Sequence, residues 1–238
     1  LALDSSGLVA SAAIVEDDVL IAEYTTDYKK THSQTLLPML DEIRQMIDLD
    51  LHTIDAIAIS AGPGSFTGLR IGAATAKGLG LALDLPLVEV PTLEGLAFNL
   101  WGTDRLVCPI MDARRNQVYT GIYHFAGGTE FEELVAQEAG PVEDIIKKCN
   151  ELGQKLGKPV IFLGDGVPVY KDIIEELCNA EYSYAPAHLS RQRAGAVAIR
   201  AMKLYEEGKE PASDHAPIYL RKSQAERELE AKGKKLEE

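Results

Sequence analysis

Positive charge is scarce in this sequence, as are cysteines, aromatic residues and long apolar runs. Against 24 Lys and Arg stand 37 Asp and Glu, a formal net charge of -13 over 238 residues. A broad grip on phosphate backbones needs a basic face, so the simplest kind of nucleic-acid binder is excluded and only a local basic patch remains open. Cysteine occurs only at Cys108, Cys149 and Cys178, far apart and without a CxxC pair. That spacing argues against a disulfide framework or a zinc site and for buried, reduced thiols in a cytoplasmic protein. No apolar run is long enough to span a bilayer, so no membrane partner is expected. No basic-then-apolar leader is visible, and the chain opens on a strand-like LALD rather than on methionine. The five histidines, His32, His52, His124, His188 and His215, form no HxxxH or HExxH pair. A helical two-histidine metal site is therefore missing and no metal is expected. Ser65 lies outside any GxSxG elbow, because Phe66 and Thr67 separate it from Gly68.

What is present is an ordinary globular balance, 46% hydrophobic and 26% charged, on a chain long enough for one large or two small domains. LALD, LVASAAIV (8–15) and VLIAEYTT (19–26) read as strands, and the Asp17-Asp18 pair between the last two suits a hairpin. HSQTLLPMLDEIRQMI carries Leu36, Leu40, Ile43 and Ile47 at helical spacing; Ser33 is placed to cap it, and Pro38 to kink it or limit its first turn. IDAIAIS (54–60) reads as a buried strand, followed by a glycine-rich turn and a long helix. PLVEV is a strand and TLEGLAFNL a helix. The order then restarts. RLVCPIMDA, QVYTGIYHF and FEELVAQEA read as strands, PVEDIIKKCNELGQKLG as a helix, PVIFLG as a strand and VPVYKDIIEELCN as a helix, with RQRAGAVAIRAMKLYEEG as a last helix stopped by Gly208. Strands alternating with helices behind leading hairpins predict an α/β fold with mixed sheets. The halves are expected at 1–102 and 103–221, with 222–238 a polar tail, a solvated helix or disordered.

AGPGSFTGLRIGAATAKGLGLAL (61–83) poses the main question. A phosphate-binding P-loop needs GxxxxGK[ST], but Gly62 and Gly68 are one residue too far apart, and Leu69 and Arg70 stand where the lysine and hydroxyl belong. GxGxxG fails too. Free amides at the helix start still suit an anion. Within the helix, Gly68, Gly72, Ala76 and Gly80 recur every four residues along one stripe. Each interior glycine costs about 1 kcal/mol against alanine, so the stripe needs a backbone packed close to it. That backbone belongs either to this chain's own sheet or helices or to another molecule.

GPGSFTGLRIG followed by AKGLGLAL resembles the signature of the bacterial TsaB family, also called YeaZ. LALDSS, THSQTLLPML, DARRNQVY, GDG and PIYLR agree with it, so the likeness runs from Leu1 to about Arg221. The resemblance implies the actin, Hsp70 and sugar-kinase type of fold, with two ribonuclease-H-like halves. It implies a non-catalytic subunit in threonylcarbamoylation of the adenosine beside the anticodon of tRNAs. TsaD, a paralogue, would perform the transfer, an ATPase, TsaE, would join, and tRNA would be met only through the complex. It implies a homodimer or partner interface on the two helices 32–47 and 66–83, formed by His32, Leu36, Leu40, Gly68, Arg70, Gly72, Ala76, Lys77 and Gly80. On that view Gly72→Leu abolishes association and spares the fold. His32 suits a local cap equally well, and Arg70 and Lys77, two turns apart, suit solvated charges.

In this superfamily nucleotide phosphates lie between two aspartate-led, glycine-rich turns, which here would start at Asp4 and Asp112. Ser6 replaces an inner glycine of the first, and Ala113, Arg114 and Arg115 replace those of the second. The aspartates then survive as turn residues. Asp4, Gly62, Gly64, Ser65, Asp112 and Gly164 remain the candidates for an anion or nucleotide contact. No catalytic residue and no intrinsic cofactor are expected, with ATP or ADP bound only within the complex. The alternatives are an independent ATP-using enzyme of the sugar-kinase type and, less well supported, a metallopeptidase.

Overall fold

One central, buried strand organises each half of the chain. A computed structural model describes residues 1–28, 31–209, 212 and 216–221; the tail read at 222–238 lies outside the described residues. In the first half β1 (Ala2–Asp4) pairs antiparallel with β2 (Ala10–Glu16), which pairs antiparallel with β3 (Val19–Thr26). On the other side of β1 lie β4 (Ile57–Gly62) and β5 (Leu87–Pro91), both parallel to it. The sheet order is β3-β2-β1-β4-β5. The second half repeats it with β6 (Leu106–Asp112), β7 (Gln117–Ala126), β8 (Glu130–Pro141), β9 (Val160–Leu163) and β10 (Tyr182–Tyr184), ordered β10-β9-β6-β7-β8. A three-stranded antiparallel meander extended by two parallel strands, made twice, is the duplicated ribonuclease-H-like arrangement of the actin, Hsp70 and sugar-kinase type.

Local chemistry accounts for most boundaries. Asp17 and Asp18 take left-handed backbone, φ 46° and 64°, as a two-residue hairpin turn requires. α1 (His32–Met46) follows Thr31 with no side-chain cap, so Ser33 does not cap it, and the helix runs on through Pro38. α2 (Phe66–Leu83) is capped by Ser65 Oγ, which accepts from the Gly68 amide at 3.3 Å. α3 (Thr92–Ala97) continues as a 3-10 turn through Leu100. α4 (Val142–Leu156) starts directly after Pro141. α5 (Lys171–Leu177) is shorter than its apolar run suggests, because residues 164–170 stay in turns. β10 has no clear sequence signal; it is three half-buried residues added to β9. α6 (Ala194–Glu206) ends ahead of Gly208, φ 80°.

The helices do not respect a boundary at 102 and 103. α1 and α2 cover one face of the first sheet, where Leu36, Ile43 and Ala76 meet Leu3, Ile57 and Ile59. Its other face is covered by α6 from the second half, with Ala194, Val197 and Ala201 on Ala2, Ala13 and Val90. In return α3 reaches onto the second sheet, where Leu93, Leu96 and Phe98 meet Val107, Tyr123 and Phe125. α4 and α5 close the opposite face over Cys108, Ile110 and Phe162. Where α3 and α6 cross, buried Arg200 Nε donates to buried Glu94 Oε2 at 2.6 Å, with its guanidinium over the Phe131 ring at 4.5 Å. The three cysteines are free and buried in the second core.

Candidate functional site

The small-residue stripe of α2 faces inward. Gly68, Gly72, Ala76 and Gly80 are all buried. A Cβ on Gly68 would overlap the Ser5 carbonyl oxygen, one on Gly72 the Ser5 hydroxyl, and one on Gly80 would stand 3.1 Å from the Leu85 carbonyl oxygen. At Gly68 and Gly72 the close neighbour is therefore Ser5 in the chain's own β1 turn, and at Gly80 it is the chain just past α2, not another molecule. Leu36 and Leu40 are likewise core residues of α1. These six leave the set that a partner can touch directly, and Gly72→Leu is a fold-breaking change rather than an interface-selective one. His32 Nε2 donates to the Gly7 carbonyl at 2.8 Å, tying α1 to the same turn. Of the nine residues expected at an interface, Arg70 and Lys77 lie on the solvent side of α2. Their neighbours there are Ala74, Gly78 and Leu81, with Leu81 89% exposed, and α1 adds Met46 at 83% and Leu37 at 51%.

The glycine turn is filled from within. Ser65 N donates to the Ser6 carbonyl oxygen at 2.7 Å, and a Cβ on Gly64 would collide with that same carbonyl. Gly62, φ 115°, lies against the backbone of Ile218. The glycines thus admit protein backbone where a phosphate cradle would admit ligand.

The two aspartate turns are brought to one cleft of about 250 Å³, lined by Ser6, Gly64, Ser65, Asp112, Arg114 and Asp165 among others. Asp4 is fully engaged behind it: Oδ1 accepts from Ser6 N and Oγ at 2.8 and 2.7 Å, and Oδ2 from Ser60 Oγ at 2.5 Å. Burial raises its carboxyl above the usual range, against the pull of those hydrogen bonds. Asp112 Oδ1 accepts from the Arg114 amide at 2.8 Å and from the Tyr170 hydroxyl at 3.0 Å. Arg114, Arg115 and Asn116 follow with φ 65°, 58° and 55°, a left-handed run built without glycine. Gly164, φ 108°, lets the GDG turn press on Ile110, and Asp165 Oδ1 accepts from the Asp112 amide at 3.2 Å. Burial raises the Asp165 carboxyl as well. Asp165 and Tyr170 were not singled out in the sequence as site residues. The GDG motif pointed to the first; no spacing pointed to the second. Among the described residues no three His, Cys, Asp or Glu side chains converge as a metal set, and no helix is long and apolar enough to cross a membrane.

Burial, then the hydrogen bond to Asp112, pushes the Tyr170 phenol up to about 12. An unfolded tyrosine ionises near pH 10 (about 10), so the fold holds this proton. Its contribution is fully present below about pH 10 and is lost as pH rises toward about 12. Tyr170→Phe is expected to lose less stability than the parent between those limits in urea titrations; equal slopes would contradict the assignment.

A curated TsaB of Bacillus subtilis, named tRNA threonylcarbamoyladenosine biosynthesis protein, is 35% identical over 228 residues, 95% of each chain. The chain belongs to the TsaB family. The Escherichia coli TsaB is 31% identical over 98% of both chains. A family model described as TsaD, tRNA N6-adenosine threonylcarbamoyltransferase, matches residues 20–229. YeaZ from Pseudomonas aeruginosa superposes with a TM-score of 0.75 at 26% identity, covering 92% of this chain and 98% of that one.

Proposed function

We propose that this TsaB-family chain is a non-catalytic subunit in the addition of a threonylcarbamoyl group to the adenosine beside the anticodon of tRNAs. It works in the cytoplasm beside a TsaD-type transferase and a TsaE-type ATPase. The observation that carries the non-catalytic reading is the state of the two aspartate turns. Asp4 spends its oxygens on Ser6 and Ser60, Asp112 spends Oδ1 on Arg114 and Tyr170, and the Ser6 carbonyl fills the glycine turn. A nucleotide site needs those aspartates turned toward magnesium-bound water and those amides toward phosphate. The subunit holds no cofactor of its own, ATP or ADP enters only with the complex, and tRNA is met through the partner, in keeping with a net charge of -13.

The solvent face of α1 and α2 is the proposed docking surface for the TsaD-type paralogue, and a second copy of this chain competes for it. Exposed Leu37, Met46 and Leu81 supply apolar area beside Arg70 and Lys77. Leu81→Asp touches no core residue, so its melting temperature should stay within about 2 °C of the parent, while affinity for the paralogue falls at least about tenfold. Light scattering and calorimetry read both. Unchanged affinity in a folded L81D variant contradicts this surface.

A further inference from the structure

Besides the ion pairs of Arg193 with Glu23 and of Arg191 with Asp27, the two halves are fastened at two places of very different strength. On one side α3 and α6 cross over the buried Glu94–Arg200 pair, flanked by two apolar clusters. On the other, residues 217–221 run from the first half to the second along the rim of the cleft. Ile218 N donates to the Ala61 carbonyl at 2.7 Å, against Gly62. Tyr219 stacks flat on Phe66, ring centroids 4.2 Å apart, and its hydroxyl accepts from Arg70 Nε at 3.1 Å. Leu220 packs on the second core, and Arg221 donates to the Ala113 carbonyl in the arginine turn. Apart from that of Leu220, each of these contacts ends on a segment that borders the cleft or on the start of α2.

We propose that residues 217–221 are a releasable latch that holds the cleft between the halves closed, with the α3–α6 crossing as the hinge. Ile218 and Tyr219 remain 39% and 38% exposed, and the segment belongs to no helix or strand. Stretches of that kind, held by half-exposed contacts, open at a small fraction of the global unfolding free energy. Each contact is also local: one amide bond, one ring pair and one guanidinium. Release leaves both sheets intact and uncovers Gly62, the start of α2 and the 113–116 turn together. The latch stands whether or not α2 docks the transferase.

Hydrogen exchange on the full chain tests this with Tyr219→Ala, Arg221→Ala and the double variant. Amides of 62–68 and of 113–117 should both exchange at least about tenfold faster, a cost of about 1.4 kcal/mol of closure, while β2 and β7 keep their protection. Tyr219→Phe keeps the ring stack, loses only the Arg70 bond and folds as the parent; it should give a smaller rise in the same two segments. A rise confined to 62–68 overturns the latch, because the strap then packs on one half alone. Equal loss of protection in β2 and β7 also overturns it, because 217–221 would then belong to the cooperative core. So does unchanged exchange throughout.

Discussion

Gly68→Ala is expected to lower the stability of the fold by about 2–3 kcal/mol, the range of overpacked sites where backbone must give way. At roughly 2–4 °C per kcal/mol for a domain of this size, the melting temperature drops by about 4–12 °C. The added methyl meets the Ser5 carbonyl oxygen, and that residue is held by β1 beneath it and by its own hydroxyl, which donates to the Gly68 carbonyl at 2.8 Å. Neither side is the free end of a flexible chain. Gly78→Ala on the same helix should do the opposite. Nothing lies within 4 Å of its Cβ position, so only the helix propensity changes, worth about 1 kcal/mol in favour of alanine. Calorimetry on the pair separates the two roles of glycine in one helix. A G68A variant with unchanged melting and weakened association would return the stripe to a partner.

Arg200→Ala is expected to cost about 3–5 kcal/mol, because it leaves Glu94 buried without its cation. Burial already raises the Glu94 carboxyl, opposed by Arg200. The variant also forfeits the guanidinium over Phe131 and Phe98, and its bond to Glu207 at 3.0 Å. Replacing both partners, Glu94→Leu with Arg200→Leu, should cost less than Arg200→Ala alone, since no stranded charge remains. Denaturant titration reads the comparison; a double variant worse than R200A would mean the pair itself, rather than its unpaired remnant, sets the energetics. The site matters because it joins α3 of one half to α6 of the other.

Much of this architecture was legible in the residues. Alternation and the Asp17-Asp18 turn give the meander, and the apolar spacing of α1, α2, α4 and α6 gives the layers, because periodicity reports which face is buried. Periodicity does not report what buries it. The stripe at Gly68, Gly72, Ala76 and Gly80 has the same spacing against its own chain as against a partner helix, and Gly68 and Gly72 meet the β1 turn while Gly80 meets the chain just past α2. For the same reason nothing in the sequence tells that α6 returns to the first sheet or that α3 reaches the second. Such exchanges join residues 106 positions apart, as Glu94 and Arg200 are. At the aspartate turns, the loss of glycines after Asp112 was readable. The closure of Asp4 was not, since it depends on Ser60, 56 residues away.

The most direct test of the account is reconstituted tRNA modification, with threonylcarbamoyladenosine measured by mass spectrometry of digested nucleosides. The TsaD-type and TsaE-type proteins should form little modified nucleoside without this chain and full amounts with it. Asp112→Ala in this chain should retain modification, as a non-catalytic turn residue must, while this chain and tRNA without the TsaD-type protein give none. Modified nucleoside made by this chain without that paralogue, or lost in a folded D112A variant that still binds it, would contradict the non-catalytic assignment.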